Sequence, residues 1–162
     1  MSFINDLRHN ESKRNMILWI VAFSLIAVMA LGLIASFVSI NNAIPTRTLP
    51  NSAFKIGLID PDEGDYMQGT TSIYTKEYIP IDGLKCKPQE DASIEYQVFF
   101  YTQEKEYISA TAVRTDIFSV EFDTVPTGAR YARVMVTPLH DYEVASREVD
   151  TYADMLTITY NK

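Results

Sequence analysis

The chain has 162 residues, a formal net charge of −7, 47% hydrophobic residues, two histidines and one cysteine. Its acidity argues against binding to nucleic acid, which needs clustered Lys and Arg, and the single Cys86 excludes an intramolecular disulfide while leaving an intermolecular one open. The length suits one ordinary domain with appendages.

Residues 1–15 form a short tail whose apolar side chains beyond the initiator are Phe3, Ile4 and Leu7, too few to fold alone. Met16 to Ile40 follows, 25 residues without a charge, Pro, Asn or Gln. At 1.5 Å rise per residue such a helix spans about 37 Å, enough to cross a hydrocarbon core with some tilt. Its only polar interruptions are Ser24, Ser36, Ser39 and Gly32, too sparse for the solvated face that a helix of a soluble domain keeps. The spacing therefore predicts a transmembrane helix over 16–40. The rival is a cleaved signal peptide; the apolar run is too long for one, although the small residues Ala35, Ser36 and Ala43 leave cleavage near the outer end as an alternative. Lys13 and Arg14 abut the helix on one side, whereas Asn41 to Thr46 carries no charge, which places the N-terminus in the cytoplasm and the C-terminal domain outside.

Residues 41–53, with two prolines and no periodicity, read as a stalk. From residue 54 to 162 the pattern is short β-like runs separated by turns such as Asp82-Gly83 and Thr127-Gly128. The clearest strand is Ile94 to Tyr101, in which Ile94, Tyr96, Val98 and Phe100 share one face. Asp116 to Asp123 predicts a second, with Phe118, Val120 and Phe122 buried. Ala129 to Thr137 predicts a third, with Ala132, Val134 and Val136 turned to the core and Tyr131, Arg133 and Met135 to the other face. Weaker runs are Lys55 to Ile59, Ser72 to Ile81, Tyr107 to Thr111 and Met155 to Tyr160. No helical period is evident after the anchor. The fold expected is mainly β: an N-terminal transmembrane α-helix followed by an antiparallel β-sandwich of jelly-roll type.

Two segments, IEYQVFFYTQEKEYIS (Ile94 to Ser109) and FDTVPTGARYARVMV (Phe122 to Val136), resemble the galactose-binding-like jelly-roll domains found in surface proteins and carbohydrate-binding modules. The matching residues are mainly structural, with Pro126 and Gly128 shaping a turn and Val134 and Val136 packing a core. The resemblance implies that glycan or protein binding is a use of this fold.

Tyr101, Tyr131 and Arg133 have the chemistry for a sugar site on the face away from the core: rings stack on C–H faces and a guanidinium donates paired hydrogen bonds. The alternative is that they serve cross-strand packing and ion pairs with Glu95 or Glu121. The domain holds no tryptophan, the usual sugar platform, which counts against a lectin. Asp60, Asp62 and Asp65, with Glu63 between them, offer carboxylate oxygens to Ca²⁺, although the loop lacks the glycine and glutamate of an EF-hand; a solvated acidic turn is the competing account. No other cofactor is indicated. Cys86 lies between Lys85 and Lys87, which would lower its pKa, but it has no histidine near it in sequence. His140-Asp141 stands without a nucleophile motif, so no enzymatic activity is expected. The function expected is a membrane-anchored binding module for a glycan or a protein; the alternative is a structural subunit of a larger envelope or surface assembly, with oligomers open in either case.

Overall fold

The structure, a computed structural model, describes residues 15–16, 19–29, 45–140 and 142–161. The chain divides into two compact units, Met1–Ala43 and Ile44–Lys162.

In the first unit residues 19–29 form a helix, α1, whose side chains are all exposed. Ser24 satisfies its hydroxyl on the helix itself, donating to the carbonyls of Ile20 (2.6 Å) and Val21 (3.0 Å), and Trp19 lies 6.0 Å from Phe23 between ring centroids. Among the described residues no helix is long and apolar enough to cross a membrane. Residues 17–18 and 30–40 of the expected span, most of the tail and residues 41–44 of the expected stalk lie outside the described residues.

The second unit is mainly β and antiparallel. In chain order its strands are β1 (Thr46–Thr48), β2 (Phe54–Ile56), β3 (Leu58–Ile59), β4 (Tyr66–Met67), β5 (Ile73–Thr75), β6 (Ile79–Pro80), β7 (Lys85–Pro88), β8 (Ile94–Tyr101), β9 (Tyr107–Ala110), β10 (Phe118–Ser119), β11 (Tyr131–Pro138) and β12 (Leu156–Asn161). One sheet runs β1-β12-β7-β10; the other runs β2-β5-β11-β8-β9, with β6 also on β11; β3 and β4 form a separate hairpin. The two sheets face each other as a β-sandwich, an arrangement compatible with a jelly roll. Ile94, Tyr96, Val98, Phe100, Ala132, Val134 and Val136 from one sheet meet Cys86, Phe118, Leu156 and Ile158 from the other in a single buried core. Each large apolar side chain removed from water there contributes about 1.5–3 kcal/mol, and the phenyl rings of Phe100 and Phe118 add a tilted contact at 6.0 Å.

The β8–β11 ladder is the spine. All eight residues of each strand pair, from Tyr131 with Tyr101 to Pro138 with Ile94, so the alternation of one strand reinforces that of the other. The strand boundaries of β8 coincide with the sequence reading, and the turns at Gly83 (φ +62°) and Gly128 (φ +87°) take the left-handed backbone that glycine permits.

Three features differ from the sequence reading. Thr46–Thr48, assigned to the stalk, pairs with β12 as an edge strand, from Thr46 with Asn161 to Thr48 with Thr159. A short helix, α2 (Val149–Asp154), stands where no helical period was evident, burying Tyr152 and Ala153 and tied to the turn between β1 and β2 by Asn51, whose side-chain amide donates to Asp154 Oδ1 at 2.6 Å. The expected strand Asp116 to Asp123 ends after Ser119. There the carbonyl of Ser119 accepts from the amides of Phe122 and Asp123, and the Asp123 carboxylate accepts from the amide of Ser119 at 2.8 Å, closing a turn. Phe122 consequently leaves the core and is 86% exposed.

Candidate functional site

Alternation along β8 and β11 puts Phe99, Tyr101, Tyr131, Arg133 and Met135 on the face of their sheet turned away from the main core. That face is not open. Ile59, Tyr74, Phe99, Tyr101 and Met135 are buried there as a second cluster, with Leu58, Tyr78, Tyr107 and Tyr131 packed against it. The β3–β4 hairpin is the cover. The amide of Ile59 donates to Met135 Sδ, the Tyr101 hydroxyl donates to the carbonyl of Gly64 at 2.6 Å, and the Tyr107 hydroxyl donates to that of Pro61 at 2.6 Å. Gly64 has φ +73°, and a Cβ there would stand 2.3 Å from the Tyr107 ring, so the hairpin seats only with glycine at this position.

Under this cover Tyr101 is 1% exposed, and burial pushes its phenol pKa up. Arg133 is 8% exposed. Its guanidinium lies 4.7 Å from the centroid of Tyr74 and 5.4 Å from that of Tyr78, while Nε and Nη2 both donate to the carbonyl of Thr75 at 3.2 and 3.0 Å. A desolvated cation on an aromatic face gains about 2 kcal/mol, which explains how the charge is kept here without a carboxylate. Neither Glu95 nor Glu121 pairs with it: among the described residues the ion pairs are those of Arg114 with Asp116 and Asp123, each at 2.9 Å. The structure thus brings Tyr101, Tyr131 and Arg133 to one face but spends Tyr101 and Arg133 on holding it together. Tyr131 alone stays half open, edge-on to Tyr78 at 6.3 Å, its hydroxyl accepting from Gln103 at 3.4 Å.

Beside the covered face lies a surface the sequence did not single out. Lys55, on β2, reaches across the rings of Tyr74 (4.9 Å) and Tyr66 (5.4 Å), and Tyr66 is 55% exposed. The same Lys55 borders an open groove of about 410 Å³ floored by Phe54 and Val149 and rimmed by Lys76, Ser146 and Asp150. Lys76 donates one ammonium hydrogen to the carbonyl of Ser52 at 2.7 Å, which fixes its head at the rim and leaves its other donors to point elsewhere. The volume falls in the range of small-ligand sites, about 300–1,000 Å³. The groove offers Lys76 and Asp150, and the Lys55 ammonium lies beside it over the Tyr66 and Tyr74 rings; together they suit a ligand with an anionic substituent on an otherwise hydroxylated or apolar body. The signal available in the sequence was the run of Lys55, Tyr66, Tyr74 and Lys76, which only the β2–β5 pairing, Lys55 opposite Tyr74, makes contiguous.

The acidic loop is a hairpin turn. Asp60 Oδ1 accepts from the amides of Asp62 (2.8 Å) and Glu63 (3.3 Å), and the backbone closes between Asp60 and Asp65. Among the described residues no group of three His, Cys, Asp or Glu side chains is placed to hold a metal, so Asp60, Asp62 and Asp65 do not converge as the calcium reading requires. Cys86 points into the core between the sheets, and burial pushes its thiol up, opposite to the effect expected of Lys85 and Lys87, whose exposed side chains alternate to the other face. His140 stacks on Tyr142 at 5.5 Å in an exposed loop, and Asp141 lies outside the described residues. Comparison of the chain with protein-family models, with curated proteins and with solved structures finds no match in any of the three.

Proposed function

We propose that the protein is a membrane-tethered, non-enzymatic recognition module, anchored by residues 16–40 with its N-terminus in the cytoplasm, whose β-sandwich binds an acidic glycan outside the membrane. The observation that carries the ligand class is the surface around β2, where Lys76 lines the groove against α2 and the Lys55 ammonium lies over the exposed ring of Tyr66 beside it. Support for the anchor is that every described side chain of α1, from Trp19 to Met29, is exposed although most are large and apolar. The galactose-binding-like resemblance points to the same ligand class, with the binding surface moved from Tyr101 and Arg133 to the groove.

Binding of the full chain, reconstituted in lipid nanodiscs, to immobilised uronic-acid-containing and neutral oligosaccharides tests this. Retention of the acidic set and its loss in the Lys55→Ala/Lys76→Ala double variant are expected; binding to neither set sinks the glycan reading. The second reading, a structural subunit of an envelope assembly, is favoured by Leu139 (54% exposed) and Tyr142 (49%), which present apolar surface at the end of the sandwich where β8 begins and β11 ends. Cross-linking in native membranes that yields one stoichiometric protein partner supports that reading instead.

A further inference from the structure

Among the described residues of the β-sandwich Phe122 is the most exposed large apolar side chain, and hydrogen bonds hold the turn that carries it. Arg114 is a brace with four donors engaged. Nε and Nη2 bind the two oxygens of Asp116 at 2.9 and 3.0 Å, Nη2 also donates to the carbonyl of Ile117, and Nη1 reaches Asp123 at 2.9 Å. Asp123 in turn caps the turn at Ser119. A phenyl ring in water costs free energy, and a segment this well tied has not simply failed to pack.

The register of the first sheet says which way the ring faces. Thr48, Thr159, Lys85 and Ser119 lie in one row across β1, β12, β7 and β10. One step further along, the amide of Val120 donates to the carbonyl of Leu84, and Tyr160 stands opposite Arg47. The turn that carries Phe122 therefore projects from the same end of the sandwich as Thr46, the point where the chain enters the domain. Three strand spacings, about 14 Å, separate the two edges. Only residues 41–45 lie between Ile40 and Thr46, a reach of at most about 20 Å. Exposed Arg47, Lys85, Lys105 and Arg130 stand at this end too, offsetting Asp82, Glu104, Glu106 and Glu121 on a domain that is acidic elsewhere.

We propose that this end of the sandwich rests on the bilayer, with Phe122 inserted at the lipid headgroup level as a second contact beside the anchor. The inference rests on the reading of residues 16–40 as a membrane span. A ring at the interface gains burial without needing a protein pocket, and the Arg114 brace lowers the ordering cost of insertion. The two contacts together fix the tilt of the domain and keep the Lys55 groove at a set height.

The test uses the full chain in phosphatidylcholine nanodiscs, with an environment-sensitive fluorophore on Phe122→Cys or, at the opposite end, on Leu139→Cys. Both positions are exposed, and Cys86 is buried from the reagent. A blue-shifted emission quenched by nitroxide-labelled lipid at position 122, with neither effect at 139, is expected. A chain that resists alkaline carbonate extraction yet shows no quenching at 122 overturns the insertion while leaving the anchor reading intact. A chain that carbonate extracts overturns the anchor reading, and this inference with it.

Discussion

The two sheets treat their outward faces in opposite ways. On the β1-β12-β7-β10 sheet the outward residues Lys85, Lys87 and Thr157 are exposed and Thr159 is half-buried, as alternation in a one-sided sheet leads one to expect. On the other sheet the outward residues Phe99, Tyr101, Arg133 and Met135 are buried, with the β3–β4 hairpin over Tyr101 and Met135 and the rings of Tyr74 and Tyr78 against Arg133. Alternation decides which face a side chain takes; whether that face meets water is decided by segments distant in sequence, Gly64 lying 37 residues from Tyr101 and Ile59 lying 76 from Met135. A tyrosine and an arginine on an outward face would therefore meet water on one sheet and form a second core on the other.

Substitutions should separate the two faces. Arg133→Ala removes the cation between Tyr74 and Tyr78 and leaves the Thr75 carbonyl without its donors, so it should cost about 3 kcal/mol in urea unfolding, whereas Lys87→Ala on the open face should stay within about 0.5 kcal/mol. Equal effects would mean that the hairpin does not seal the face. Gly64→Ala combines a left-handed backbone with a Cβ against Tyr107 and should cost about 2 kcal/mol, with faster amide exchange confined to residues 58–67. Tyr101→Phe deletes only the hydroxyl bond to Gly64 and should cost about 1 kcal/mol while leaving the ring packed.

A smaller effect is expected at the Phe122 turn. The Ser119 amide, with Arg114, holds the Asp123 carboxyl below its ordinary value of 3.8. A depressed folded-state pKa contributes stability that is complete above the unfolded value and is lost as pH falls through the folded one. The turn should therefore loosen on acidification below about pH 3.8, seen as rising amide exchange at Val120 to Asp123, and Asp123→Asn should show the loosened state at neutral pH. Unchanged exchange across that range would leave the brace to Arg114 and Asp116 alone.

Much of the sandwich is legible in the sequence where two strands repeat the same two-residue period. Ile94 to Tyr101 has a full alternation and pairs along its whole length, so local pattern and tertiary partner agree. Thr46–Thr48 has no apolar member and is exposed throughout; only the β12 edge makes it a strand. The Val149–Asp154 helix is six residues long, below the length at which a helical period can be read. Phe122 continues the alternation of Phe118 and Val120, yet the Arg114 brace overrides it. The site residues follow the same logic: the faces of Tyr101, Tyr131 and Arg133 are legible, the burial of Tyr101 and Arg133 is not, and the Lys55–Tyr66–Lys76 surface exists only once β2, β4 and β5 are brought together.

The most direct test of the sealed face and the groove beside it is an amide chemical-shift titration of the full chain in nanodiscs with a uronic-acid oligosaccharide. Perturbations are expected at Ser52 to Lys55, Tyr66, Lys76 and Ser146 to Asp150, with Tyr101 and Arg133 unmoved. Perturbations centred on Tyr101 and Arg133 would contradict this by showing that the hairpin opens to admit the ligand.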